Sequence, residues 1–126
     1  EDPHGFQRDL KILIVDDDPS TIDAVGSALK SKNYDFISAS SGEEALEKLE
    51  EKDIDIIISD IKMPEMDGFG FVNALRQRPF AGKLPIFLVS SSIDPADKQK
   101  AEEDPLVSGF LEKPLSLGQL ERQVVN

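Results

Sequence analysis

Three consecutive carboxylates, Asp16, Asp17 and Asp18, stand directly behind the apolar run Lys11-Ile12-Leu13-Ile14-Val15, and Asp60 follows a second run, Ile54 to Ser59. Two more apolar runs lead to groups of matching chemistry: Leu84 to Val89 ends at Ser90, and Ser108 to Leu111 passes through Glu112 to Lys113. Crowded carboxylates repel one another and drift toward the neutral form, so such a cluster stays ionised only around a cation. Oxygen donors at strand tips suit a hard divalent ion such as Mg2+, with Mn2+ as the next candidate. A carboxylate can also accept a phosphoryl group as a covalent acyl phosphate. Asp60 is the candidate nucleophile, because a structured loop rather than a helix cap follows it. Asp17 and Asp60 are expected to hold the metal on one side of the phosphoryl group. Lys113 would bring a mobile positive charge to the other side, and Ser90 a hydroxyl donor.

These groups act together only if the chain gathers the ends of its apolar runs. Strands are expected at Leu10–Val15, Tyr34–Ala39, Ile54–Ser59, Leu84–Val89 and Ser108–Leu111. Helical patterns fall between them. The first turns Ile22, Val25, Ala28 and Leu29 inward, with Asp18 as its N-cap and Pro19 in its first turn. The next spans Gly42–Glu51, with Ala45, Leu46 and Leu49 on one side, and the third turns Phe69, Val72 and Leu75 inward. A polar helix follows over Pro95–Glu103, and the last runs from Ser116 to Val125. Strand and helix in alternation, with strands apolar on both sides, imply an α/β fold: a doubly wound five-stranded parallel sheet. The strongest runs, the first, third and fourth, belong at the centre, which gives the strand order 2-1-3-4-5. In open sheets of this kind the ligand sits beyond the carboxyl ends of the strands, at the switch point between the first and third. Asp16, Asp17 and Asp60 fall there.

Composition narrows the function classes. A chain of 126 residues fits one domain, with a polar tail at 1–9 and the folded unit at 10–126. A net charge of -11 argues against a nucleic-acid grip, which needs a basic face. No apolar run is long enough to span a membrane, and the first ten residues do not resemble a signal peptide. The absence of cysteine fits a cytoplasmic location. His4, the only histidine, lies in the polar tail before the first strand, where a tail residue is the expected reading.

The stretches Ile12 to Asp17, Ile57 to Gly68, Leu84 to Ser91 and Gly109 to Pro114 together resemble the receiver domain of response regulators, of the chemotaxis-regulator type. That resemblance implies a flavodoxin-like fold and a phospho-acceptor in two-component signalling. The chain would not be an enzyme acting on others but would catalyse its own phosphorylation and dephosphorylation. It implies Asp60 as the phosphorylated residue, and Asp16 and Asp17 as the acidic pair, with Asp17 on Mg2+ directly and Asp16 mainly through water. It further implies the backbone carbonyl of Lys62 as a metal ligand, Ser90 and Phe110 as the switch pair, Lys113 as the active-site lysine and a cis Lys113-Pro114 bond. The donor would be a histidine kinase or a histidine phosphotransfer protein. The output would use the surface of the fourth helix, last strand and last helix, with phosphorylation-dependent dimerisation as one form of it.

Lys62 and Ser92, two positions after the acceptor and the switch serine, flank the path of a hydrolytic water and are expected to tune dephosphorylation. The Pro95–Glu103 helix is poorer in apolar residues than receivers usually are, which leaves its output role open. A single-domain regulator and a receiver belonging to a larger regulator or hybrid kinase both fit. One rival is a phosphatase of the haloacid-dehalogenase type, with Asp16 as nucleophile and Asp18 as acid/base. Against it, the chain leaves no room for a cap domain, and no acidic pair follows Lys113. A second rival is a receiver-shaped binding module that no longer accepts phosphate.

Overall fold

The computed structural model describes residues 11–32, 34–51, 53–63, 65–79, 84–91, 94–113 and 118. The tail with His4, Leu10, Pro64, Ser92, Pro114 and, apart from Gly118, the last expected helix lie outside them. Among the described residues five strands, β1 (Lys11–Val15), β2 (Asp35–Ala39), β3 (Ile56–Asp60), β4 (Ile86–Ser90) and β5 (Val107–Glu112), alternate with four helices. The helices are α1 (Pro19–Ser31), α2 (Gly42–Glu51), α3 (Gly68–Leu75) and α4 (Pro95–Glu103). The sheet order is β2-β1-β3-β4-β5, and every pairing is parallel, as the distribution of apolar runs predicts.

Alternation of side chains along each strand splits the core into two layers. Ile12, Ile14, Ile56, Ile58, Phe87 and Val89 pack with Val25 and Leu29 of α1. Leu13, Val15, Ile57 and Leu88 pack on the opposite side with Ala45 and Leu49 of α2, Phe71, Val72 and Leu75 of α3 and Ala101 of α4. β3 and β4 are buried along their whole length, so they are the central strands in burial as well as in order.

Strand ends shift by one or two residues from the sequence expectation, β2 starting at Asp35, β4 at Ile86 and β5 spanning Val107–Glu112. β3 starts at Ile56 rather than Ile54, because Asp55 is spent on Lys11: its N–H donates to the Lys11 carbonyl at 2.9 Å and its carboxylate accepts from the Lys11 N–H at 2.8 Å. β3 and β4 each run one residue further than expected and take in Asp60 and Ser90. In α1, Ile22 and Ala28 are only half-buried, and the inward face is Val25, Gly26 and Leu29.

Candidate active site

Each functional group is placed by the end of a strand. Asp16 follows β1 directly, and its N–H donates to the Ala39 carbonyl of β2 at 3.0 Å. One Asp16 carboxylate oxygen accepts the Asp18 N–H at 2.9 Å, which fixes the turn into α1. Asp18 is the α1 N-cap: its carboxylate accepts the Ser20 N–H at 3.0 Å and the Ser20 hydroxyl at 2.7 Å. Those bonds occupy Asp18 as a cap and withdraw it from the acid/base role that the phosphatase reading needs.

Asp60 and Ser90 are the last residues of β3 and β4 and are 7% and 1% exposed. Lys113 follows β5, and its N–H donates to the Ser90 carbonyl at 2.9 Å. A bulge precedes this end of the sheet: Ile86 pairs with Val107 and Phe87 with Gly109, so Ser108 is extra and every later residue of β5 moves one place along β4. From there the Lys113 side chain crosses the end of β4. Its ammonium donates to Asp16 Oδ2 at 2.8 Å and lies 3.5 Å from Asp60 Oδ2.

The acid cluster of the sequence is therefore real, and the chain supplies one cation to it. Burial and the neighbouring charge of Asp16 push the Asp60 carboxyl up from the ordinary range, against the pull of Lys113. For Lys113 burial acts downward, but the bond to Asp16 and the charges of Asp60 and Asp16 outweigh it and raise the ammonium's pKa. Asp16, Asp17 and Asp60 each bring a carboxylate oxygen within 4.8 Å of the others. Asp16 and Asp60 are buried while Asp17 is exposed, so the group opens to solvent on the Asp17 side. An all-oxygen set with one open flank fits a hard divalent ion that retains water.

The loop behind Asp60 alternates as the strand does: Ile61 and Met63 are buried, and Lys62 between them is exposed. Glu65 stands at φ 67, a left-handed conformation costly to a residue with a Cβ. Asp67 then caps α3 by accepting the Gly70 N–H at 2.8 Å. Gly68 was not singled out from the sequence, yet it packs directly against the backbone of the candidate acceptor. Its N–H donates to the Ile61 carbonyl at 2.9 Å, and a Cβ there would meet the Asp60 carbonyl oxygen at 2.7 Å. A glycine directly after a capping aspartate, where helix formers are favoured, was the available signal. Phe110 is half-buried beside the α2–α3 core layer and lines a cleft of about 350 Å³ with Lys98, Ala101 and Glu102 of α4. Ser92 and Pro114 cannot be compared with their expected roles, since both lie outside the described residues.

The family model for the response regulator receiver domain matches residues 12–125, and the chain belongs to that family. Its members are phospho-acceptors of two-component signalling. The fold is similar to that of chemotaxis protein CheY4 of Vibrio cholerae, with a TM-score of 0.83 and 34% identity over 93% of this chain and 98% of that one. The alkaline phosphatase synthesis transcriptional regulatory protein PhoP of Bacillus subtilis is 38% identical over 70% of this chain and 36% of its own length. The sensor histidine kinase RcsC of Salmonella typhi is 34% identical over 90% of this chain and 12% of its own. The chain spans well under half the length of several curated relatives it matches. Among the described residues no helix is long and apolar enough to cross a membrane.

Proposed function

We propose that Asp60 takes a phosphoryl group from the phosphohistidine of a partner kinase or phosphotransfer protein, in a reaction that depends on Mg2+. The observation that carries this reading is the buried Asp60 carboxylate at the end of β3, held between Asp16 and Lys113. An Asp60 oxygen forms the bond to phosphorus as the nitrogen–phosphorus bond of the donor breaks, and the donor imidazole keeps the electron pair. Asp16, Asp17, Asp60 and the Lys62 carbonyl would hold the ion, which when bound offsets the charge that carboxylates and phosphoryl oxygens bring together.

Lys113 stands where it can leave Asp60 for a phosphoryl oxygen with little movement, since its stem is flexible and its ammonium already lies 3.5 Å from that carboxylate. Ser90, one strand over, can donate its hydroxyl to the same group. Phe110 borders the α4–β5 cleft, so a shift of Ser90 toward the phosphoryl group has a neighbouring space in which the ring can turn. Phosphorylation then acts by its differential contacts with two states of this surface, which a partner protein or a second receiver reads. Hydrolysis of the acyl phosphate on the same residues returns the domain to rest.

Incubation with acetyl phosphate and Mg2+, followed by intact-mass measurement and peptide mapping, tests the reading. One phosphoryl group on Asp60, absent with EDTA and absent from Asp60→Asn, is the expected result. Label on Asp16, or none with a competent donor, would overturn it.

A further inference from the structure

Helix α4 buries one side chain, Ala101, so apolar packing contributes little to its placement. Charge fastens it instead. Arg76, at the end of α3, meets Asp104 beyond the α4 C-terminus at 2.7 Å. Lys100 lies 4.3 Å from the centre of the Phe69 ring. Asp97, in the first turn of α4, faces Lys62, with Nζ and Oδ2 3.8 Å apart. Of these three contacts, the last alone reaches the loop behind Asp60.

That contact is unusual in its balance. The Asp97 side chain is 19% exposed and that of Lys62 67%. Asp97 Oδ2 is buried and has no hydrogen-bond partner among the described residues. At 3.8 Å the ammonium attracts it as a charge but is too far to donate to it. A sheltered carboxylate oxygen thus depends on a lysine that is free to move and stands two residues from the acceptor.

We propose that Asp97 is a positioning residue for Lys62: it holds the ammonium toward α4 at rest and yields it to the phosphoryl group once Asp60 is modified. The inference rests on Asp60 being the acceptor. A phosphoryl group carries a charge of about -1.5 to -2, more than the carboxylate of Asp97, so it competes for the same flexible cation. Hydrolysis joins a water oxygen to phosphorus, breaks the bond to Asp60 and releases phosphate, a proton and the free carboxylate. Lys62 drawn to the phosphoryl group obstructs that water. Asp97, left behind, loses the tie between α4 and the acceptor loop. One side chain then governs both the lifetime of the signal and the freedom of the helix next to the Phe110 cleft.

The test is single-turnover dephosphorylation of the full chain, labelled with acetyl phosphate and freed of donor, for the parent, Asp97→Asn, Asp97→Glu, Lys62→Met and the double variant Lys62→Met/Asp97→Asn. Asp97→Asn releases Lys62 and should lengthen the phosphoryl lifetime about two- to five-fold, the range that an ion pair of this exposure supplies. Asp97→Glu should keep the parental lifetime, and Asp97→Asn should add nothing once Lys62 is Met. Asp97 also complements the α4 dipole. A purely structural role of that kind would lower Tm in both backgrounds and leave the lifetime alone. An unchanged lifetime in Asp97→Asn, or the same change with and without Lys62, would overturn the proposal. Failure of the parent chain to take label on Asp60 would overturn the acceptor reading and this inference with it, a result distinct from a labelled parent with an unaltered variant.

Discussion

Replacing Gly68 by Ala tests how firmly the backbone holds Asp60, the proposed acceptor. The new Cβ would stand 2.7 Å from the Asp60 carbonyl oxygen and 2.9 Å from Ile61 Cα, where ordinary contact begins at 3.4 Å. Both obstacles are backbone, so neither can rotate away. Nor is β3 free to retreat: Asp60 is paired with Val89, and the Ile61 N–H donates to the Val89 carbonyl at 3.0 Å. The chain must therefore separate α3 from the end of β3 by about half an ångström or more. Overpacking of this kind costs about 1–3 kcal/mol. Helix propensity returns at most about 1 kcal/mol of that. From the middle of the first range, about 2 kcal/mol, the net loss is then about 1–2 kcal/mol, and for a chain of 126 residues each kcal/mol lowers Tm by about 4 °C.

Gly70→Ala is the control, because it lies in the same helix but meets side-chain atoms, Asp67 Oδ1 at 3.3 Å and Met66 Cγ at 3.4 Å, which can give way. Its Tm should stay within about 3 °C of the parent. Displacement of a reacting group by a fraction of an ångström also slows chemistry, so Gly68→Ala should take phosphate from acetyl phosphate about ten-fold more slowly, with the rate of Gly70→Ala nearly unchanged. Thermal unfolding by circular dichroism and the initial labelling rate give the two readouts. A Gly68→Ala protein as stable and as fast as the Gly70→Ala protein would refute the claim that this close approach sets the acceptor's position.

Asp67→Ala removes the α3 cap bonded to the Gly70 N–H at 2.8 Å and should cost about 1 kcal/mol in urea unfolding, with little change in Mg2+ affinity. Asp60→Asn should stabilise the metal-free domain at neutral pH, because burial and Asp16 raise the Asp60 pKa and make its ionisation unfavourable to the fold. The sign follows from linkage: the cost sets in as pH rises above the ordinary aspartate value of about 3.9 and is complete above the raised native value. The variant's advantage should therefore shrink as pH is lowered, and a pH-independent gain in urea midpoint would contradict the assignment. Lys113→Met leaves Asp16 and Asp60 facing each other without their cation and should cost about 1–3 kcal/mol near neutral pH, after allowance for the partial exposure of the lysine. Adding Asp60→Asn to Lys113→Met should recover part of that loss, which chemical denaturation of the double variant measures.

The strands that carry the site were legible because Ile12 to Val15, Ile56 to Ile58 and Ile86 to Val89 are apolar on both sides, and only a covered parallel sheet accommodates such runs. Order and position then follow from burial: the most apolar runs take the centre, and Asp16, Asp60 and Ser90 sit where those runs stop. What stayed hidden depends on contacts between distant segments. Phe71 is fully buried beside Val72, although a single inward stripe on that helix passes through Phe69, Val72 and Leu75. Gly68 owes its identity to the Asp60 carbonyl, which no periodicity reports. The partner of Lys62 is hidden for a different reason: Asp97 in its own helix looks like one more acid in a polar run. The contact of Lys113 with Asp16 as well as Asp60 follows the β5 bulge, whose sequence signal is Gly109 inside Val107-Ser108-Gly109, a glycine within a strand pattern.

The domain divides its binding energy unevenly, and the division suits a phospho-acceptor. Asp60 and Ser90 end strands that are buried throughout, so the backbone that carries them is held by dispersion and ladder bonds that a change of charge does not touch. Besides its packing on β5 through Ala101, α4 is held through Asp97, Lys100 and Asp104, whose contacts depend on charge and are open to competition. On the proposed reading, a group of nearly two negative charges arriving on Asp60 would leave the sheet in place and act on the helix. Apolar burial of α4 comparable to that of α1 would cost this selectivity, because a few charge contacts could not then move it. The scarcity of apolar residues over Pro95–Glu103, which leaves the output face undecided at the level of sequence, is on this view what makes the helix responsive.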